Sequence, residues 1–415
     1  MGTVANLCIT LRKRSESYFV SVGQLNLNLQ RFQPLSHPFS FLSSLPYNVF
    51  KRLPARCEHG GSLPTRENAS GVRGHRREIL DFSANLNPYG PPDFLSDATE
   101  EAKQEIGKYP DSDASELKEI LAAKFKRSSD EIIVAAGISE LIYLVLLAFS
   151  PRRVIVLEHT YCEYERVSNI FGISVKKVDM PALQIKAEKI TEVMKSEDLV
   201  FLCNPNNPTG QYLRRDAIEM LLDAAERVSA MLVVDEAYVD FVQNAFPSHE
   251  ICSQNMLILR SFTKSFGIPG VRIGFAIGSS DAIEALNAVK PPWNVSIFAQ
   301  KIGISALRNE SFLRETIPKV WHQKRRIERE LGVRSDANFF LLNTAPFGKN
   351  ARELKAALLR RGILVRDCTS FGLPSHIRFC VRKEEENERL ISALLVNNTF
   401  FNHCCRATFW AKHAF

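Results

Sequence analysis

A chain of 415 residues, 45% hydrophobic and 24% charged, is long enough for a large domain plus a smaller one and has an ordinary globular composition. Its net charge of +7 is unevenly placed: residues 1–77 carry 11 Lys/Arg against 3 Glu, and the remainder 42 against 43. The body is therefore nearly neutral, which argues against nucleic-acid binding, and its longest apolar run, Leu141 to Phe149, is too short to cross a bilayer.

Residues 1–56 are basic, hold Glu16 as their one acid and contain Pro34, Pro38, Pro46 and Pro54. The lack of a sustained hydrophobic period predicts a disordered extension, with an organellar targeting peptide as the alternative. No clear amphipathic helix favours the latter, so a cytoplasmic location is expected, or an organelle matrix if the leader is a targeting peptide. Residues 57–108 are expected to pack on the smaller domain.

From 109 to 295 the pattern alternates. Short β-rich runs "EIIVAA", "RVIVLE", "LVFLC", "MLVVD", "MLILR" and "IGFAIG" are separated by amphipathic stretches such as Ser139–Phe149, Arg214–Val228 and Ser280–Lys290. Nearly continuous apolar strands alternating with helices predict an α/β fold: a three-layer αβα domain around a mostly parallel sheet. Residues 296–396 change character. A long helical region broken at Pro318 leads to "NFFLL", a helix over Arg352–Arg361, "GILVRD", "HIRFCVR" and a helix over Glu384–Leu395, a smaller α+β domain. Residues 397–415 read as a tail. Nine cysteines lack a CxxC pair or regular spacing, which reads as reduced thiols with no disulfide framework and no metal site.

In parallel α/β sheets ligands sit beyond the carboxyl ends of strands. Four such loops stand out: "GISELI" with Gly137, "NPNNPTG" from Asn204, "DEAY" with Asp235 and Tyr238, and "SFTKSFGIPGVRIG" with Ser261, Lys264 and Arg272. Each alone reads as a turn, a solvated strand end, a surface charge or a helix cap. Together they supply, on successive strands, an amide, a carboxylate, a phenol, an amine and a guanidinium. That set suits pyridoxal 5′-phosphate (PLP): a lysine for its aldehyde, a carboxylate for its ring nitrogen, and an arginine, hydroxyls and a helix N-terminus for its phosphate.

These segments resemble the signatures of fold-type I PLP enzymes, the class I/II aminotransferase superfamily, over about residues 57–396. The resemblance implies that Lys264 forms the Schiff base and Asp235 pairs with the pyridinium nitrogen. It implies further that Asn207 and Tyr238 bond the ring hydroxyl, Tyr161 stacks on the ring, and Ser261, Arg272 and the amides of Gly137, Ile138 and Ser139 bind phosphate. Partial burial and a neighbouring arginine should depress the lysine's pKa. The stretches "CEHGG", "DFSANLNPYG" and "GILVRDCTSFGLPSHIRFCVR" look most like threonine-phosphate decarboxylases of cobalamin biosynthesis, and next like histidinol-phosphate aminotransferases, which use 2-oxoglutarate or glutamate. Both act on a phosphorylated amino acid or amine. By that likeness Asn87, Arg366 and Arg378 would bind substrate, and Tyr109 would reach a neighbour's phosphate in a homodimer. For Arg366 and Arg378 the alternative is ion pairing with Glu384 to Glu386. A PLP-fold transcription regulator is disfavoured because the leader lacks a helix-turn-helix pattern, and a dinucleotide enzyme because no GxGxxG follows the first strand.

Overall fold

The computed structural model describes residues 54, 56–61, 79–251 and 253–396, together with three short strands in the leader. Those strands, β1 (Ile9–Arg14), β2 (Ser17–Val22) and β3 (Leu25–Asn28), form an antiparallel meander within the separate unit Met1–Leu53. No element was predicted there, because the period-two alternation is too short to stand out. The expectations for the rest of the leader and for the tail lie outside the described residues.

In the body the chain runs β4 (Leu80–Asp81), α1 (Leu95–Glu105), α2 (Ser115–Phe125), β5 (Ile132–Ala135), α3 (Ile138–Phe149), β6 (Arg153–Leu157), α4 (Glu163–Ile170), β7 (Ser174–Val178), α5 (Ala187–Val193), β8 (Asp198–Cys203), α6 (Arg215–Val228), β9 (Met231–Asp235), β10 (Met256–Ser261), α7 (Phe262–Ser265), β11 (Gly274–Ile277) and α8 (Ser280–Val289). Seven strands form one sheet in the order β5-β11-β10-β9-β8-β6-β7, with β11 antiparallel to both neighbours and the others parallel. Alternate residues feed opposite layers. Val200 and Leu202 of β8 join a core with α2, α5 and α6, while Leu199, Phe201 and Cys203 join one with α3, α4 and α8. Both faces are covered, which is why the strands are apolar almost throughout. The exception is β7, "SVKKV", an edge strand whose Lys176 and Lys177 are exposed; charge on an edge deters further pairing.

The chain continues with α9 (Ile297–Arg308), α10 (Ser311–Leu331), β12 (Phe339–Asn343), α11 (Ala351–Leu359), β13 (Ile363–Leu364), β14 (Arg366–Asp367), β15 (His376–Cys380) and α12 (Glu384–Val396). A small antiparallel sheet, β12-β15-β14, carries the second core, and β13 pairs with β4 in parallel.

Three local expectations change. Pro318 does not break the helix: α10 continues through it. Losing a backbone donor there costs about 3 kcal/mol in a helix interior, and burial of the flanking Ile317 and Val320 in the second core offsets it. "GILVRD" divides at Val365 into β13 and β14, which serve different sheets. Of the described part of the segment 57–108, Leu80 and Phe82 pack in the second core, whereas Leu95 and Ala98 of α1 join a core beneath the seven-stranded sheet with α9.

Candidate active site

The loops after β5, β6, β8, β9 and β10 meet in one cavity. Its wall contains Gly137, Ile138, Ser139, Tyr161, Asn207, Asp235, Tyr238, Ser261, Lys264 and Arg272, joined by Cys203, Ala237 and Thr263. All ten residues expected to hold the cofactor thus converge, because the parallel strands end on the same side of the sheet.

Asp235 ends β9 and is buried. Its Oδ2 accepts from Tyr164 Oη at 2.6 Å and its Oδ1 from the Ala237 amide at 3.0 Å. Burial pushes its pKa up to about 6, against the pull of those two bonds and of Lys264. Lys264 sits in the single turn α7. Its pKa falls to about 8, first through burial, then through the charges of Arg272 and Arg378, with Asp235 opposing. A useful fraction of free amine therefore exists near neutrality, as a nucleophilic lysine requires.

At the other end of the cavity α3 begins after Gly137, which has φ +87° and offers no side-chain cap. A Cβ there would lie 2.8 Å from Arg272 Nη2, so glycine lets the guanidinium approach the helix N-terminus. Ser261 Oγ lies 2.7 Å from Thr263 Oγ1. A guanidinium, two hydroxyls and the start of a helix make a dianion cradle. Between the two ends, Arg378 Nη1 donates to Asn207 Oδ1, which leaves the Asn207 amide N–H groups as the donors for a ring oxygen. Burial raises the Tyr238 phenol to about 12, opposed by Arg378, and raises Tyr161 as well, so both phenols stay protonated donors. This donor set fits PLP at the amine, ring-nitrogen, ring-oxygen and phosphate positions.

Tyr164 escaped the sequence reading. It is fully buried on α4, stacks on Phe201 with ring centroids 4.9 Å apart and meets Tyr161 edge-on at 5.5 Å. An aromatic at core spacing on a helix signals packing, and its hydroxyl's partner lies 71 residues away. Glu236, adjacent to Asp235, is not in the site: it pairs with Arg260 at 3.1 Å and accepts from Ser248.

The four expected substrate residues divide. Arg378 and Arg366 are buried side by side on β15 and β14. Arg378 also donates to the Ser83 carbonyl at 2.7 Å, has no carboxylate partner among the described residues and leaves Nε without a hydrogen bond. The acids of α12 go elsewhere: Glu386 pairs with Arg382 and Glu384 with Arg326. Arg366 donates to Glu58 Oε2 at 2.9 Å and to Ser370 Oγ at 2.6 Å. Asn87 is instead a strut. Its Nδ2 donates to the Ser265 carbonyl and Thr316 Oγ1, both at 2.9 Å, and its Oδ1 accepts from the Tyr89 amide. With its bonds spent on fixing this loop against the Lys264 segment, it has none for substrate. Two residues earlier, buried Asn85 has neither amide atom in a hydrogen bond of good geometry, making it the better polar candidate. Tyr109 does not enter the cavity; it is 79% exposed and stacks on Trp293.

The family model for aminotransferase class I and II matches residues 77–394. A candidate threonine-phosphate decarboxylase of Caldanaerobacter subterraneus is 30% identical, covering 81% of this chain and 95% of the relative. Histidinol-phosphate aminotransferase 2 of Archaeoglobus fulgidus is 32% identical, over 77% and 93%. The crystal structure of L-threonine-O-3-phosphate decarboxylase from Porphyromonas gingivalis superposes with a TM-score of 0.69 at 28% identity, over 77% and 99% of the chains. Among the described residues no helix is long and apolar enough to cross a membrane. The chain belongs to the aminotransferase class I and II family and is a PLP-dependent enzyme of fold type I.

Proposed function

We propose that this enzyme decarboxylates a phosphorylated amino acid, threonine phosphate, in the manner of the threonine-phosphate decarboxylases of cobalamin biosynthesis. The observation that carries this reading is the meeting of the two segments that distinguish those enzymes by sequence. The "HGG" strap and "DFSAN" close on each other beside the paired arginines. The Gly61 amide donates to Ser83 Oγ at 2.8 Å, and Gly60 comes so close that a Cβ would lie 2.0 Å from the Ser83 carbonyl and 3.2 Å from Arg378 Nη2. A phosphoamino acid presents two anions, and two buried guanidinia on adjacent strands answer them with bidentate donors.

PLP, when bound, supplies an electron sink for whichever α-carbon bond stands perpendicular to its ring. The protein's part is placement and proton control. Asp235, held by Tyr164 and Ala237, would keep a proton on the ring nitrogen and so keep the sink strong. Arg378 and Arg366 fix the carboxylate and phosphate and thereby choose the bond that breaks. Lys264 Nζ would hold the cofactor and, as a free ammonium, would be the group placed to carry the proton that takes the place of carbon dioxide on the α-carbon.

The second reading is a histidinol-phosphate aminotransferase, favoured by the similarity to the Archaeoglobus fulgidus enzyme at 32% identity. A substrate panel with and without 2-oxoglutarate decides. Carbon dioxide released from threonine phosphate without a keto acid supports the decarboxylase, and an absolute need for 2-oxoglutarate refutes it. We further infer a homodimer that pairs through the exposed Ile106, Tyr109 and Trp293, with Tyr109 contributing to the second copy's phosphate site. Sedimentation of a Tyr109→Glu variant tests this: an unchanged dimer would remove Tyr109 from the interface.

A further inference from the structure

A second group of chemically competent side chains lies just outside the cofactor cavity. Cys57 Sγ, Cys162 Sγ and a carboxylate oxygen of Glu163 stand within 4.8 Å of one another. His59, two positions after Cys57, brings Nε2 to 3.3 Å from Glu163 Oε1. The other Glu163 oxygen accepts from Arg166 Nη1 at 2.9 Å, which turns Oε1 toward the histidine. Two thiols, an imidazole and an oriented carboxylate are the ligand types of a tetrahedral zinc site. With Zn–S near 2.3 Å and Zn–N near 2.0 Å, ligand atoms around zinc lie roughly 3.3–3.8 Å apart, so the two sulfurs and the carboxylate would draw together by about an ångström, while His59, already beside Glu163 but outside that 4.8 Å group, would swing in further. The scattered cysteines gave no such signal in the sequence because the ligands come in two pairs, from the strap and from the start of α4.

We propose that Cys57, His59, Cys162 and Glu163 bind one zinc ion, clamping the 57–61 strap to the loop that carries Tyr161. Coordination requires both sulfurs as thiolates. Zinc would balance the charge of both thiolates at once and release the protons they carry. Because Cys162 adjoins Tyr161, and Arg366 holds Glu58 of the same strap, the ion would stiffen one wall of the cavity. The clamp is independent of the reaction assigned above.

The test uses the tag-free full chain, reduced, stripped with chelator and titrated with zinc, with bound metal counted by mass spectrometry after gel filtration. One equivalent should be retained, and cobalt in its place should give a thiolate charge-transfer band with tetrahedral ligand-field bands. Cys57→Ser and Cys162→Ser should each cut that band to about half or less and weaken zinc at least about tenfold. Zinc at a fixed concentration should raise the melting temperature of the parent more than that of either variant, a comparison made within each protein and so insensitive to general destabilisation. A parent that holds no zinc, including one locked in a Cys57–Cys162 disulfide that binds none after reduction, overturns the proposal. So does zinc retention that survives undiminished in either serine variant.

Discussion

Arg366 and Arg378 stand directly opposite each other in the β14–β15 ladder, each only 4% exposed. Like charges in that relation repel, and burial deepens the cost. Arg366 is partly neutralised by Glu58, whereas Arg378 has only the neutral oxygens of Asn207 and Ser83. A pair so arranged is a standing demand for an anion. Replacing Arg378 by alanine should therefore weaken substrate binding by about 2–4 kcal/mol, read as a rise in KM. The near-visible absorption of the cofactor should persist, since the one hydrogen bond of Arg378 to a residue of the cavity wall is to Asn207. An equal loss of cofactor and substrate affinity would make Arg378 a structural residue.

Tyr164 governs the state of Asp235 without lining the cavity. Tyr164→Phe keeps the ring against Phe201 and removes one hydrogen bond to a charged carboxylate, worth about 1.5–3 kcal/mol. With that bond gone, burial pushes the Asp235 pKa further up and the ring-nitrogen proton is less firmly held. The expected result is a fall in kcat of about tenfold or more with KM nearly unchanged. A rise in KM at constant kcat would place the tyrosine's effect on packing instead.

The site was legible where chemistry follows a doubly covered strand. The apolar runs ending at Cys203, Asp235 and Ser261 announce their own carboxyl ends, and the residues beyond them are the ones that converge. Groups whose role depends on contacts between distant segments were not legible. Asn87 and Asn85 sit in the same short loop, and only the positions of Ser265, Thr316 and Tyr89 reveal that one is spent and the other available. The same limit hid the Tyr164–Asp235 bond and let Pro318 pass for a helix end, since the core that carries α10 past it comes from elsewhere in the chain.

Gly60 tests the strap. Alanine at this position would drive its Cβ into the Ser83 carbonyl, at 2.0 Å, and backbone cannot yield as a flexible side chain can. The strap should lift from Ser83 and uncover the arginine pair. Gly60→Ala should raise KM for the phosphorylated substrate several-fold, roughly 1–3 kcal/mol of overpacking strain, while equilibrium binding of PLP stays within twofold. Unaltered KM would mean that the strap plays no part in substrate binding.

Lysine attack on the PLP aldehyde needs the free amine, and the Lys264 pKa of about 8 sets where that form appears. In cofactor-free protein the loading rate should climb as pH rises through about 8 and level off above it, followed by the change in near-visible absorbance after mixing. An ordinary lysine would still be climbing near 10. The stability of the cofactor-free protein carries the same signature with a definite sign. Between about 8 and the unfolded-state value near 10.4, the unfolded chain holds the proton and the folded one does not, so this group makes stability rise with pH across that window. Below about 8 both states are protonated, and its full penalty for a buried charge applies. Lys264→Met removes the titration, so its stability should exceed that of the parent most at neutral pH and least near pH 10, while turnover falls by at least about 10²–10⁴-fold. A loading rate with no inflection near 8, or a parent-to-variant stability difference that is flat from neutrality to pH 10, would mean that Lys264 is not held in this buried, cation-flanked position.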